Sequence, residues 1–277
     1  MIEPEIVKAV DSASILIIRD GEEHPEYGTL EILMVKRHHN IKFAGGAYVF
    51  PGGKLDEADR VLENKCEFYA DPNIPESFRG MRYAALREVF EETGLIVGKF
   101  KGDHVAEQTR KKLDEQYRDQ FLEGNLTLEN FLDQSGVTLS LEDCLPFAHW
   151  ITPEQYPKRY DTRFFLCVAP SGQVASPDGH EIVETKWVKP LDMVLDAQKT
   201  LMFPTLMNLK KIGRSKSVAE ALRRARNDKI VAIRPELVKG KKGVFRIIPD
   251  DVKAQGAEFE EFDQSTVHPG MDEKNLK

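Results

Sequence analysis

The chain has 277 residues, 41% of them hydrophobic, and its 39 Lys and Arg against 46 Asp and Glu leave a net charge of −7. That length and apolar share suffice for one large domain, or a domain with an appendage, and exclude a disordered chain. The acidic balance gives no overall electrostatic case for a nucleic-acid partner, and Cys66, Cys144 and Cys167, with no close-spaced pair, argue against a disulfide framework or zinc knuckle. Residues 1–9 carry Glu3, Glu5, Lys8 and a proline instead of the basic start and apolar core of a secretion signal. With no apolar run near the roughly 20 residues a bilayer needs, a cytoplasmic protein without a membrane partner is expected.

Residues 9–19 and 30–37 are rich in β-branched and apolar side chains and read as strands joined by a polar loop over 20–29. Tyr48, Val49 and Phe50 form a short strand feeding a tight turn at Gly52-Gly53. Residues 60–80 lack a sustained period, so a loop with a short helical piece is expected there, before a main helix begins near 75–78 and ends at Gly94. Leu95, Ile96 and Val97 read as strand. Residues 104–134 read as two helices broken at Gly124-Asn125, followed by strands over 145–152, 162–169 and 181–188 and a helix from Pro190. Hydrophobic density falls after Gly213, with one more helix over 217–227 and a loose tail beyond Gly256. Irregular alternation with antiparallel-looking neighbours predicts a mixed α/β domain of α+β type, and no glycine cluster forms a dinucleotide or P-loop fingerprint.

The run Arg87-Glu88-Val89-Phe90-Glu91-Glu92-Thr93-Gly94-Leu95 carries the chemistry. In a helix, Glu88, Glu91 and Glu92 fall within an arc of roughly 100°, while Tyr83, Leu86, Val89 and Phe90 point away to a core. Three crowded carboxylates suit a hard divalent cation, although the run alone also fits a solvated acidic helix face. Together with Gly53 and Asp59, it resembles the Nudix box, G-x5-E-x7-R-E-U-x-E-E-x-G-U, in which U is aliphatic. Asp59 replaces the first Glu. Between Asp59 and Arg87 lie 27 residues where that pattern has 7, an insertion of 20. Because loop closure costs only the logarithm of length, both ends can still meet.

The resemblance implies a Nudix fold, a mixed sheet sandwiched between helices, over residues 9–213. Its box would span 53–95 with the insertion at about 60–79, a helical insertion would fill 104–134, and a partly helical extension would cover 214–277. It implies Mg²⁺ or Mn²⁺ held by Glu88 and Glu92, with Glu91 as a third ligand or through a water and Gly53 offering a backbone carbonyl. Arg87 would pin the turn. Glu88 is the expected base, with Glu181 or Glu184 as alternatives from a later loop. The segment from Leu33 to Gly53 is similar to the extension of coenzyme A diphosphatases, L-L-T-x-R-[SA]-x3-R-x3-G-x3-F-P-G-G, with Arg37, Gly46, Phe50, Pro51, Gly52 and Gly53 in register. Val35, His38 and Lys42 depart from it. Arg37 and Lys42 suit the phosphates of a nucleotide diphosphate, and Phe50 joins them in the expected substrate site. Two further segments, 159–165 and 203–206, are similar to the coenzyme A and acyl-coenzyme A branch.

A small-molecule nucleotide diphosphate is therefore the expected partner, and a homodimer is left open. One alternative is a hydrolase of ADP-ribose or a dinucleotide. Another is an inactive Nudix-fold module whose segment 217–229, with Arg223, Arg224 and Arg226, contacts a partner.

Overall fold

The computed structural model describes residues 6–41, 44–65, 74–197, 201–240, 243–250 and 252. Strands β1 (Val10–His24) and β2 (Gly28–Arg37) form an antiparallel hairpin, with the short β3 (Tyr48–Val49) against β2 and β4 (Gly52–Lys54) against β1. Helices α1 (Glu57–Lys65), α2 (Glu76–Arg79) and α3 (Met81–Thr93) follow. Strands β5 (Gly98–Phe100), β6 (Asp103–His104) and β7 (Val137–Leu139) make a side sheet around α4 (Glu107–Leu122) and α5 (Leu128–Ser135). The chain then returns through β8 (Leu145–Ile151), β9 (Tyr160–Val168) and β10 (Ile182–Val188). Helices α6 (Pro190–Ala197), α7 (Phe203–Ile212) and α8 (Val218–Asn227), strand β11 (Ala232–Ile233) and the hairpin β12 (Glu236–Gly240) and β13 (Gly243–Ile247) come last.

The main sheet runs β10-β2-β1-β9-β8-β11, with β1–β9 and β8–β11 parallel and the other pairs antiparallel. Its middle strands are apolar at successive positions because both faces are covered. Ile15 and Ile17 of β1 pack into a core with α3, α4 and α5, while Leu16 and Ile18 pack into a second core with α6, α7 and α8. Strand β9 divides the same way, Phe165 and Cys167 against Phe164 and Leu166. Cys144 and Cys167 are buried free thiols, and Cys66 lies outside the described residues. Among the described residues, no helix is long and apolar enough to cross a membrane.

Four local readings are corrected. The loop expected over 20–29 is mostly strand, since β1 continues to His24 and Asp20 Oδ1 accepts hydrogen bonds from Thr29 Oγ1 (2.5 Å) and the Val218 amide (3.0 Å). Leu95, Ile96 and Val97 are not strand. All three are buried, and the Gln173 side chain satisfies both the Ile96 amide (2.9 Å) and its carbonyl (3.0 Å), replacing a neighbouring strand. Helix α3 starts at Met81, after the separate turn of α2. Residues 60–65, finally, continue α1, so the stretch read as a loop with one short helical piece holds parts of two helices, α1 and α2. Residues 66–73 of the insertion, Lys42 and the tail beyond Gly256 lie outside the described residues. Past Gly213, Ala221 and Ala225 of α8 enter the second core, and β11 extends the main sheet.

Candidate active site

Arg87 organises the acidic helix. Its Nε donates to both oxygens of Asp59 (3.2 and 3.3 Å), and Nη2 donates to Asp59 Oδ2 (3.1 Å) and the Lys54 carbonyl (2.9 Å). Nη1 donates to Glu88 Oε1 and Glu91 Oε1, each at 3.0 Å, so every guanidinium N–H is engaged. Asp59 is fully buried, and its Oδ2 also accepts the Asp56 amide (3.0 Å) while its own amide donates to the Asp56 carbonyl (3.1 Å), which fixes the start of α1. The insertion thus leaves the Asp59–Arg87 contact intact. Burial opposes the Arg87 charge, but Glu88, Glu91 and Asp59 around it hold its pKa above the usual arginine range.

The carboxylates face the glycine turn. Glu92 Oε2 accepts the Gly52 amide (3.0 Å), and a side-chain carbon at Gly53 would collide with the Glu88 carboxylate, so glycine there lets Glu88 lie against the backbone. Burial raises the pKa of Glu88 to about 8, helped by Glu91 and Glu181, and burial together with Glu88 raises Glu92 well above its ordinary value. Glu91 is raised by burial as well. Two desolvated carboxylates are hard donors whose repulsion a divalent cation would relieve, so the residues fit such an ion. Among the described residues, no group of three or more His, Cys, Asp or Glu side chains is gathered for a metal.

Helix α4 fixes the far end of α3. Arg118 Nε donates to the Glu91 carbonyl (2.8 Å) and its Nη2 to the Ser176 carbonyl (2.8 Å), while the Ser176 amide donates to Thr93 O (2.9 Å). Arg110 Nη1 reaches the Gly94 carbonyl (3.3 Å), where Gly94 caps the helix at φ 68°. These cations meet the carbonyl end of the helix dipole and tie it to the loop that leads to Glu181. Sequence reasoning missed both arginines.

A cavity of about 620 Å³ opens beside this corner, lined by Gly53, Arg87 and Glu88 and also by Arg37, Phe50 and Glu181. Arg37, at the end of β2, is paired with Glu181, just before β10, and its buried Nε has no protein partner. Glu184 turns elsewhere, accepting from Tyr48 Oη (2.8 Å) and facing Lys36 at 3.8 Å. The opposite wall comes from Trp150, Tyr160, Phe164 and Phe203, with Lys158 held over the Tyr160 ring at 5.4 Å. Tyr160, Thr162 and Phe164 share one face of β9, a period-2 signal that could have flagged them. Arg159, in the same basic loop, instead turns inward to the Thr152, Pro153 and Val7 carbonyls.

Among solved structures, a Nudix hydrolase from Alicyclobacillus acidocaldarius aligns with 79% of this chain and 97% of its own at 23% identity and a TM-score of 0.65, which shows a shared fold. Putative nudix hydrolase 7 of Caenorhabditis elegans is 27% identical over 172 residues, 61% of this chain and 50% of that protein. The acyl-coenzyme A diphosphatase NUDT19 of Xenopus laevis is 24% identical over 208 residues, 60% of this chain and 54% of that protein. The human protein of the same name is 24% identical over 230 residues, 64% and 61%. The chain thus spans about half the length of the curated relatives it matches. A family model described as the NUDT19 Nudix domain matches residues 61–210, a stretch containing Arg87, all three glutamates of α3 and most of the second cavity wall. On that match, over more than half of its length, the chain belongs to the NUDT19 Nudix-domain family of Nudix hydrolases.

Proposed function

We propose that the chain hydrolyses the diphosphate linkage of coenzyme A or an acyl-coenzyme A, releasing 3′,5′-ADP and a phosphopantetheine. The observation that carries this reading is the single cavity that combines a carboxylate corner with an aromatic wall. A nucleotide diphosphate linked to a long, mostly apolar arm needs both, and the volume falls in the range of small-molecule sites. The two relatives described as acyl-coenzyme A diphosphatases support the same substrate class.

Nudix hydrolases generally use divalent metals. In this reading Glu88, Glu92 and the Gly53 carbonyl, with Glu91 directly or through a water, would hold Mg²⁺ or Mn²⁺, which would supply charge stabilisation at the phosphate oxygens and a more acidic water. Glu88, against the Gly53 backbone, takes the proton of the attacking water. Glu181 is the second choice because Arg37 engages it, and Glu184 is further removed because Tyr48 and Lys36 do. Arg37 offers its unpartnered Nε to a substrate phosphate, Lys158 adds a second cation, and Phe50 with Trp150 and Phe203 packs the pantetheine arm. Residues 9–213 hold this machinery, with 214–277 as an extension.

Purified protein with Mg²⁺ or Mn²⁺ should convert coenzyme A to 3′,5′-ADP, followed by chromatography of the products. Rapid cleavage of ADP-ribose with coenzyme A left intact would overturn the substrate assignment. Failure to cleave any diphosphate with either metal would overturn the reaction.

A further inference from the structure

A second cavity, of about 350 Å³, lies between α7, α8, β8 and β11. It shares only the wall residue Trp150 with the catalytic cavity. Asn208, 1% exposed, lines it. Trp150 Nε1 donates to Asn208 Oδ1 at 3.1 Å, and an indole N–H can only donate, so the amide orientation is fixed by chemistry. Asn208 Nδ2 is then left buried without a partner, an unfavourable state unless something accepts from it.

The rest of the lining is largely apolar, but its charged side chains are mostly cations, with Lys211, Arg214, Arg224 and Lys229 against Asp228. Lys211 Nζ donates to the Phe147 carbonyl (2.8 Å) and pairs with Asp228 (3.3 Å), using two of its three N–H bonds. We propose that this cavity binds a phosphate-class oxyanion, either inorganic phosphate or a phosphate monoester, received by Asn208 Nδ2 and Lys211 with the arginines beside them. A dianion answers several cations at once, and arginine prefers the planar, bidentate geometry that phosphate offers. Burial also lowers the pKa of Lys211, so an anion alongside would favour its charged form.

Trp150 supplies the readout. The chain has two tryptophans, so Trp187→Phe leaves Trp150 as the sole emitter in the full-length protein. Inorganic phosphate and glycerol phosphate, titrated at constant ionic strength without divalent metal, should each shift its emission saturably. The tighter of the two probes identifies the source as free phosphate or a monoester. Asn208→Asp keeps an oxygen for Trp150 but removes the donor, and should weaken binding by about tenfold. Lys229→Gln, at an exposed position that tolerates change, should weaken it by about threefold. Arg37→Gln, in the catalytic cavity, should leave the affinity unchanged. The proposal fails if neither probe saturates below about 50 mM. It fails equally if both cavity variants bind as the parent does, or if Arg37→Gln abolishes the signal and so assigns the anion to the catalytic cavity.

Discussion

Helix α3 places Arg87 and Glu91 one turn apart, and α8 places Glu220 and Arg224 with the same spacing and opposite order. On α8 the pair is solvated. The Arg224 side chain is 44% exposed, and its bonds to Glu220 (2.9 and 3.1 Å) stay within one helix. On α3 the Arg87 side chain is 8% exposed and reaches out of its helix to Asp59 and the Lys54 carbonyl. A charge pair at helical spacing therefore reports a helix and little more. What makes a site of it is desolvation plus a partner from a distant segment, because only then does each charge depend on the others being in place.

The largest effect should follow from breaking the acidic row itself. Glu92→Gln should lower kcat by about 10³, roughly 4 kcal/mol in the barrier, as measured by release of 3′,5′-ADP. The same variant should be more heat-stable than the parent in chelator at neutral pH. Burial and Glu88 hold the Glu92 pKa above its unfolded value of 4.5, so the ionised carboxylate opposes folding at any pH above that value. Gln removes the charge while its amide oxygen can still accept from Gly52. Added Mg²⁺ should raise the melting temperature of the parent and leave the variant unmoved. A variant with parental rates would remove Glu92 from the metal site.

Next in size is the removal of the hub. Arg87→Met strands Asp59, which is fully buried, and should cost about 3–5 kcal/mol in denaturant unfolding. Asp59→Asn in the same chain should recover part of that loss, since the uncompensated charge disappears. Additive losses in the double variant would mean that the two side chains do not act together.

The parts of this site legible in the sequence were those with a local code. Arg87, the three glutamates and Gly94 sit within one helix and its cap, and the Gly52-Gly53 turn follows a short apolar strand. The contact between Asp59 and Arg87 was legible only as a family pattern, since nothing in the 27 intervening residues specifies that the excursion returns. The helix face was legible in part. Glu88 does line the cavity, as a cleft-facing acid should, but the solvated face that the run alone also fitted is absent from α3, where 11 of the 13 residues are buried because α1, α4 and β4 all pack around it. Arg110 and Arg118 were invisible for the same reason: their partners, Glu91, Gly94 and Ser176, lie far along the chain and offer carbonyl oxygens, which have no sequence identity to read. The aromatic wall was half-legible, through the alternation on β9 and the 203–206 segment, whereas Trp150 on β8 gave no sign of serving two cavities.

The smallest effect sharpens the comparison most. Arg224→Ala removes the α8 counterpart of the α3 pair, and it should change stability by no more than about 0.5 kcal/mol. Glu220 would not be stranded. It is 27% exposed, and it keeps the Lys216 amide (2.9 Å) as a donor and Arg223 at 3.8 Å. The cap of α8 survives too, because the Ser217 hydroxyl accepts the Glu220 amide (3.3 Å) independently of any arginine. High salt should shrink the already small difference, since water and ions screen an exposed pair. The loss in Arg87→Met should persist at the same ionic strength, where the buried Asp59 has no access to either. Unfolding curves for both variants at low and high salt test this directly. A salt-insensitive loss of about 2 kcal/mol or more in Arg224→Ala would show that α8 carries a desolvated network of its own and that spacing, not burial, sets the worth of these pairs.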